Sequence, residues 1–372
     1  MQNKYQMSNK IAVYFPGSKS DHYELQVLLN RITLSRELIK FDNINEFAQS
    51  NIKSKCAVFF LDHTNISRTS WIESIRDVLK YCNQVFVFCW ELHDWTVETL
   101  SSIDLPGVSI YVSGYLDYDF QEAKIFHYQK WFHYTRNFYF YHPGFLDDNL
   151  TPYVEKEKYF DILLGRGKYH RNFVFEWLHR NYPTNLQDCA VVSYQSPHPL
   201  KKDIKSFIFE NNNSHNNPIE EIECQTQSMN YHGWTIEPHI IVPVEIYNQT
   251  AYSLVTETNT SNNYSFFTEK IVKPILAKRL FVVISGMGYL KNLRNLGFKT
   301  FDGIIDESYD SIKNPDTRFL SALRQIKLLS SLPQTSILNQ IKEITEHNYK
   351  LALETDWEKN TADQFWKEIT SL

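Results

Sequence analysis

Short apolar runs, each the length of one strand and each followed by residues with helical spacing, recur along this chain. That alternation restricts it to parallel sheets covered by crossover helices. The first set of runs is Ile11–Phe15, Cys56–Asp62, Gln84–Trp90 and Val108–Val112, with helical patterns over Tyr23–Ile39 and Trp71–Tyr81. An aromatic-rich stretch, Gln121–Phe140, then ends at the breaker cluster His142-Pro143-Gly144, and an acidic polar segment follows. The pattern restarts with Tyr159–Leu164, a Gly165-Arg166-Gly167 turn, a helix over Asn172–Arg180 and a strand at Ala190–Tyr194. After a polar loop at Asn211–Asn217 come strands at Ser253–Glu257 and Phe281–Ile284, a helical region Leu320–Tyr349 and a last amphipathic helix, Trp357–Ile369.

The expected fold class is α/β, with two Rossmann-like domains facing a central cleft. The N-terminal domain covers 1–145, a linker 146–157 and the C-terminal domain 158–345; residues 346–372 form C-terminal helices that, in such an architecture, pack back on the first domain. A length of 372 residues suits two domains. The 25 Phe, 23 Tyr and 8 Trp supply large cores. A formal charge of −5 provides no global field for a polyanion. The 5 cysteines are odd in number and lack CxxC spacing, which argues against a disulfide framework or a structural zinc site and for a reducing compartment. With no apolar run near the N-terminus long enough for a signal peptide or a transmembrane segment, a cytoplasmic protein is expected.

Chemistry concentrates between Ser253 and Ile284, which reads as a strand ending in a carboxylate, a polar loop, a helix opened by Thr268 and a further strand. As an N-cap, Thr268 leaves backbone N–H groups and the positive end of the helix dipole to receive phosphate. Lys270 adds a cation for a diphosphate, and Glu257 and Glu269 are acceptors of the kind that bind ribose hydroxyls. Read alone, Thr268-Glu269 is equally an ordinary capped helix start. Upstream, Asp161–Arg171 is a strand, a turn and two arginines. Arg166 and Arg171 offer permanent, bidentate charge to phosphate oxygens without a metal. The plainer alternative, a solvated basic helix start, opposes the helix dipole unless something anionic sits there.

Glu257-Thr258-Asn259, the polar loop with Phe266, and Thr268-Glu269-Lys270 resemble the donor-binding signature of the α1,3-fucosyltransferase family. That pattern runs Glu-Asn-Ser/Thr, a short loop, an aromatic, then Thr-Glu-Lys and a helix. Thr258 stands where the family has Asn and Phe266 where it has Tyr, so guanine and fucose do not carry over. The resemblance implies the two-Rossmann GT-B fold and inverting, metal-independent transfer of a sugar from a nucleotide-sugar donor. Arg166, Arg171, Thr268 and Lys270 would then hold the diphosphate, and Glu257, Thr258 and Glu269 the ribose or sugar. An inverting transferase also needs a carboxylate facing the acceptor hydroxyl. Strand ends in open α/β sheets face ligands, which makes Glu91, after Gln84–Trp90, the first candidate catalytic base and Asp62 its rival, with Asp94 behind both. In the family a Gly precedes the catalytic Glu; here Trp90 does.

The 13 His lack ligand spacing and Asp147-Asp148 lacks strand context, so neither a metal nor any cofactor beyond the nucleotide-sugar co-substrate is expected. Gly286-x-Gly288 is half a dinucleotide fingerprint, expected to let backbone approach the donor sugar or a helix. The acceptor is a glycan, a lipid-linked saccharide or, less favoured on net charge, a modified DNA base. Lys124–Arg136 could stack on sugars or bases, with core packing its ordinary role. The competing class is a catalytically inactive GT-B-like binding or scaffold subunit, since Thr258 and Phe266 weaken the signature and fold does not guarantee function.

Overall fold

The computed structural model describes residues 10–16, 37–61, 68–182, 184–195, 229–231, 233–237 and 239–371. The chain is α/β, its parallel sheets covered by helices. It divides into two compact units: Met1–His133 with Asp356–Leu372, and Tyr134–Thr355.

The first unit is built on a six-stranded sheet. Its strands are β1 (Lys10–Tyr14), β2 (Glu37–Phe41), β3 (Ser54–Leu61), β4 (Gln84–Cys89) and β5 (Val108–Ser113), followed by β7 (Lys124–Tyr128) after the two-residue β6 (Tyr115–Leu116). The order is β2-β1-β3-β4-β5-β7, and every pair is parallel. The central strands β3, β4 and β5 are covered on both faces, which explains their nearly unbroken apolar sequences. At the edge, β7 is half exposed. The expected helix over Tyr23–Ile39 falls partly outside the described residues, and its last residues belong instead to β2, where Glu37 pairs with Lys10.

The helix Lys359–Thr370 completes this unit. Its buried face, Phe365 and Ile369, joins the core formed by Phe86, Phe88 and Tyr111. The Phe365 ring meets Phe86 at 4.9 Å and Phe88 at 5.4 Å, both edge-on, an arrangement favoured by the ring quadrupoles. Lys124 pairs with Glu368 at 3.0 Å across the same face. Full burial of an aromatic of this size contributes roughly 1.5–3 kcal/mol.

The second unit carries a four-stranded parallel sheet of order β14-β12-β8-β9, from β8 (Lys158–Arg166), β9 (Ala190–Gln195), β12 (Thr250–Thr256) and β14 (Phe281–Ile284). A two-stranded ribbon of β10 (Met229–Tyr231) and β11 (Trp234–Ile236) lies between β9 and β12 in sequence, and the two-residue β13 (Tyr264–Ser265) between β12 and β14. Every residue of β12 and β14 is buried. The expected helical region Leu320–Tyr349 is two helices, Pro315–Ser330 and Gln334–Glu354, parted at Pro333, whose missing N–H cannot continue the first. Part of the expected linker is helical, Gly144–Asn149.

One ion pair ties this sheet together. Arg279 donates to Asp161 at 2.8 Å, to Ser253 Oγ at 3.0 Å, to Thr250 Oγ1 at 2.9 Å, and to the carbonyls of Tyr247, Thr250 and Tyr252 at 2.7–2.9 Å. Both charged side chains are almost fully buried. Burial pushes the Asp161 carboxyl upward, and Arg279 opposes that shift. Among the described residues no helix is long and apolar enough to cross a membrane.

Candidate functional site

In the second sheet the chain leaves β8 toward β9 on one side, while β12 and β14 lie on the other. The carboxyl ends of β8 and β12 therefore flank a topological switch point, where open α/β sheets hold ligands. β8 ends in Gly165-Arg166 and runs out into Gly167 and Lys168, and β12 runs out into Glu257 and Thr258. Most of the expected donor-site residues meet here.

Glu257 is completely buried. Its carboxylate accepts Thr268 Oγ1–H at 2.7 Å, Tyr289 O–H at 2.6 Å, Thr268 N–H at 3.3 Å and Thr258 N–H at 3.2 Å. Burial pushes its pKa up, with Lys270, Tyr289 and Thr268 pulling the other way. Thr268 caps the helix Glu269–Leu276, its Oγ1 accepting Lys270 N–H at 3.3 Å. The N-terminus of that helix, expected to present open N–H groups, is thus met in part by protein oxygens: Glu257 takes the N–H of the N-cap residue and Thr268 Oγ1 that of Lys270.

The cations converge on Glu257 and Thr258 from two elements. Lys270 Nζ donates to Thr258 Oγ1 at 3.3 Å and to Glu269 Oε1 at 2.5 Å. Lys168 Nζ donates to Thr258 O at 2.6 Å and Asn259 Oδ1 at 3.3 Å. Arg171, buried, reaches Glu257 O at 3.4 Å. Burial pulls the Arg171 pKa down, and Glu257 and Glu269 pull it back. Glu269 is held below the usual carboxylate range: burial works against its charge, but Lys270 and Lys273 outweigh that cost. Arg166 is the last residue of β8, its backbone in register with Gln195.

Lys168 and His170 are the residues that sequence reading did not single out. Lys168 is the N-cap of the helix Tyr169–Asn181; its own side chain makes no cap hydrogen bond, and no acidic residue lies in the first turn. That terminus, with Lys168 and Arg171 in or beside its first turn, stands at the switch point. His170 is buried and donates Nε2–H to Glu257 O at 2.8 Å. Burial, aided by Arg171, drives its pKa down to about 3, so the ring stays neutral. Only the sequence nearness of both residues to Arg166 and Arg171 hinted at them.

The loop between Glu257 and Thr268 is pinned by its neighbours. Met287 N–H donates to Asn262 Oδ1 at 3.0 Å, Asn262 Nδ2 donates to Lys313 O at 2.8 Å, and Arg318 donates to Ser285 O at 2.9 Å and Thr260 O at 3.4 Å. Gly286 lies against this loop: a Cβ there would stand 1.8 Å from Ser261 O. The close approach that requires this glycine is between two strands' exit loops.

In the first unit, Glu91 follows β4 and lies 3.1 Å from His93 Nε2, and Asp94 opens the helix Asp94–Ser102. Asp62 lies outside the described residues, as do the stretches that follow β1 and β3 at that sheet's own switch point. Among the described residues no group of three or more His, Cys, Asp or Glu is placed to hold a metal ion. No protein-family model matches the chain, and no curated protein matches it at a significant level.

Proposed function

We propose that this chain is a glycosyltransferase of the two-Rossmann GT-B type, moving a sugar from a nucleotide-sugar donor to an acceptor hydroxyl with inversion and without a metal. The observation that carries the reading is the convergence of Lys168, Arg171, Lys270 and the N-terminus of the helix Tyr169–Asn181 on Glu257-Thr258 at the switch point of the second sheet. Three cations and a helix dipole gathered at one strand end suit a diphosphate leaving group. As the acceptor oxygen bonds to the anomeric carbon, the bond to the diphosphate oxygen breaks and its electron pair leaves with the diphosphate. The cations stabilise that charge, and a carboxylate, Glu91 or its rivals Asp62 and Asp94, takes the acceptor proton.

The test is a thermal-shift panel of GDP, UDP, CDP, ADP and dTDP, with and without Mg²⁺, on wild type and Lys270→Ala. A ligand at about 100 times its dissociation constant stabilises by roughly 2.7 kcal/mol. One diphosphate should raise the midpoint without metal and fail to do so in the variant. A panel with no shift removes the donor-site argument, and the binding or scaffold subunit becomes the reading to pursue.

A further inference from the structure

We infer that Tyr289 is a positioning residue of the donor site, acting through Glu257 to hold the Thr268-Glu269-Lys270 turn in place. The inference rests on the donor-site reading above. Tyr289 is the first residue of the helix Tyr289–Asn295, and its ring packs on Phe267 at 4.8 Å. From there its buried hydroxyl donates to Glu257 Oε1 at 2.6 Å, the shortest of the four donations that carboxylate receives.

All four donors are accounted for by the protein. Glu257 is completely buried and its oxygens are engaged by Thr258, Thr268 and Tyr289, so it serves as an anchor, and the ligand-facing carboxylate of the pair is Glu269, whose side chain remains 12% accessible. The anchor holds two donors of Thr268, and Thr268 Oγ1 in turn accepts Lys270 N–H. Lys270 Nζ then reaches Thr258 Oγ1, where Lys168 also meets Thr258. Removing the Tyr289 hydroxyl takes the strongest neutral donor from a buried carboxylate, which favours its protonated form. A protonated carboxyl must donate one proton itself, and it then faces Thr268 N–H and O–H with fewer acceptor sites. The charged and titratable groups facing Glu257 are Lys270 and Glu269 from the helix that Thr268 caps, Tyr289 from the next helix, and His170 and Arg171 from the helix after β8. His170 stays neutral over the physiological range, so Glu257 is the group whose charge Tyr289 controls.

The experiment measures the dissociation constant of the panel's binding nucleoside diphosphate from pH 5.5 to 8.5, calorimetrically, for wild type, Tyr289→Phe, Glu257→Gln, the double variant and Lys270→Ala. Expected for wild type is only the pH dependence that the ligand's own terminal phosphate imposes, with its second pKa at about 6. Tyr289→Phe should bind about tenfold more weakly at pH 6 and approach wild type at pH 8. The double variant should be no weaker than the weaker single one, since both changes remove the same bond. A merely structural role would lower the melting midpoint and leave the pH profile parallel to that of wild type. Should Tyr289→Phe fail to fold, Glu257→Gln and Thr268→Val against Thr268→Ser carry the test: Ser keeps the hydroxyl donor and should restore binding that Val loses. Tyr289→Phe binding as tightly as wild type at every pH, while Lys270→Ala fails, overturns the role of Tyr289 and leaves the donor site standing. If wild type binds none of the diphosphates, both fall together.

Discussion

Replacing Arg279 by Met removes one partner of the ion pair at the centre of the second sheet and leaves Asp161 with the Ser253 hydroxyl as its remaining side-chain partner. Losing one member of a buried pair typically costs 3–5 kcal/mol, because the other charge stays in a medium that solvates it poorly. Three carbonyls, of Tyr247, Thr250 and Tyr252, lose their guanidinium donor at the same time, so about 5 kcal/mol is the expected loss. The pH dependence gives a sharper signature. Burial already holds the Asp161 carboxyl above its ordinary value; with Arg279 gone only the Ser253 hydroxyl opposes burial among the side chains, and the folded pKa rises further above the unfolded value of about 3.9. The folded state then binds a proton that the unfolded state has released, so stability falls as pH rises, by up to about 1.4 kcal/mol per pH unit below the folded pKa. Urea denaturation at pH 5, 6, 7 and 8, followed by circular dichroism, reads both effects. Arg279→Met should be most stable at the acid end, and a further Asp161→Asn change should abolish the slope. A loss below about 1 kcal/mol at neutral pH, or a variant that tracks the wild-type pH profile, would refute the account of the pair as a mutually dependent unit.

Gly286→Ala should displace the loop carrying Ser261, since its Cβ meets backbone that cannot rotate away. A loss of about 1–3 kcal/mol and a smaller diphosphate-induced shift in melting temperature are expected; an alanine variant that melts and binds like wild type counts against the close packing of these loops. His170, neutral in the fold with its pKa at about 3, takes up a proton only on unfolding, so its contribution is present above pH ~6.5 and is lost as pH falls below it. His170→Gln should reduce the proton uptake on unfolding at pH 5 by nearly one, measured from the slope of stability against pH; an unchanged slope would contradict the buried neutral ring.

The strands whose residues are buried on both faces were legible because burial leaves little choice of side chain: Phe281–Ile284 was read at its observed bounds, and the central strands β3, β4 and β5 to within two residues. Edge strands were harder. β2, with Glu37 and Lys40 in five residues, carries no apolar run, and β7 was read as part of an aromatic stretch because its half-exposed position tolerates Lys124 and His127. At the candidate site the same division holds between local and distant chemistry. The Thr268-Glu269-Lys270 cap is a local pattern and could be read directly. The partnership of Lys168 with Thr258 joins residues 90 apart in sequence, and that of Tyr289 with Glu257 joins residues 32 apart. Such pairs are made by strand order, which periodicity does not encode. For the same reason a carboxylate recognisable as an acceptor gave no sign that four protein donors would engage it.

The helix Lys359–Thr370 places the last piece of the first unit's core more than two hundred residues after the strands it covers. On the ribosome, Phe86, Phe88 and Tyr111 emerge long before Phe365 does. At about 5–20 residues per second, the sheet of the first unit waits with that face uncovered while all of Tyr134–Thr355 is made. The second unit, continuous in sequence, has its own core complete by then. The unit that begins the chain is therefore the one that finishes folding last, and during synthesis its open aromatic face is the part of this protein most in need of a chaperone.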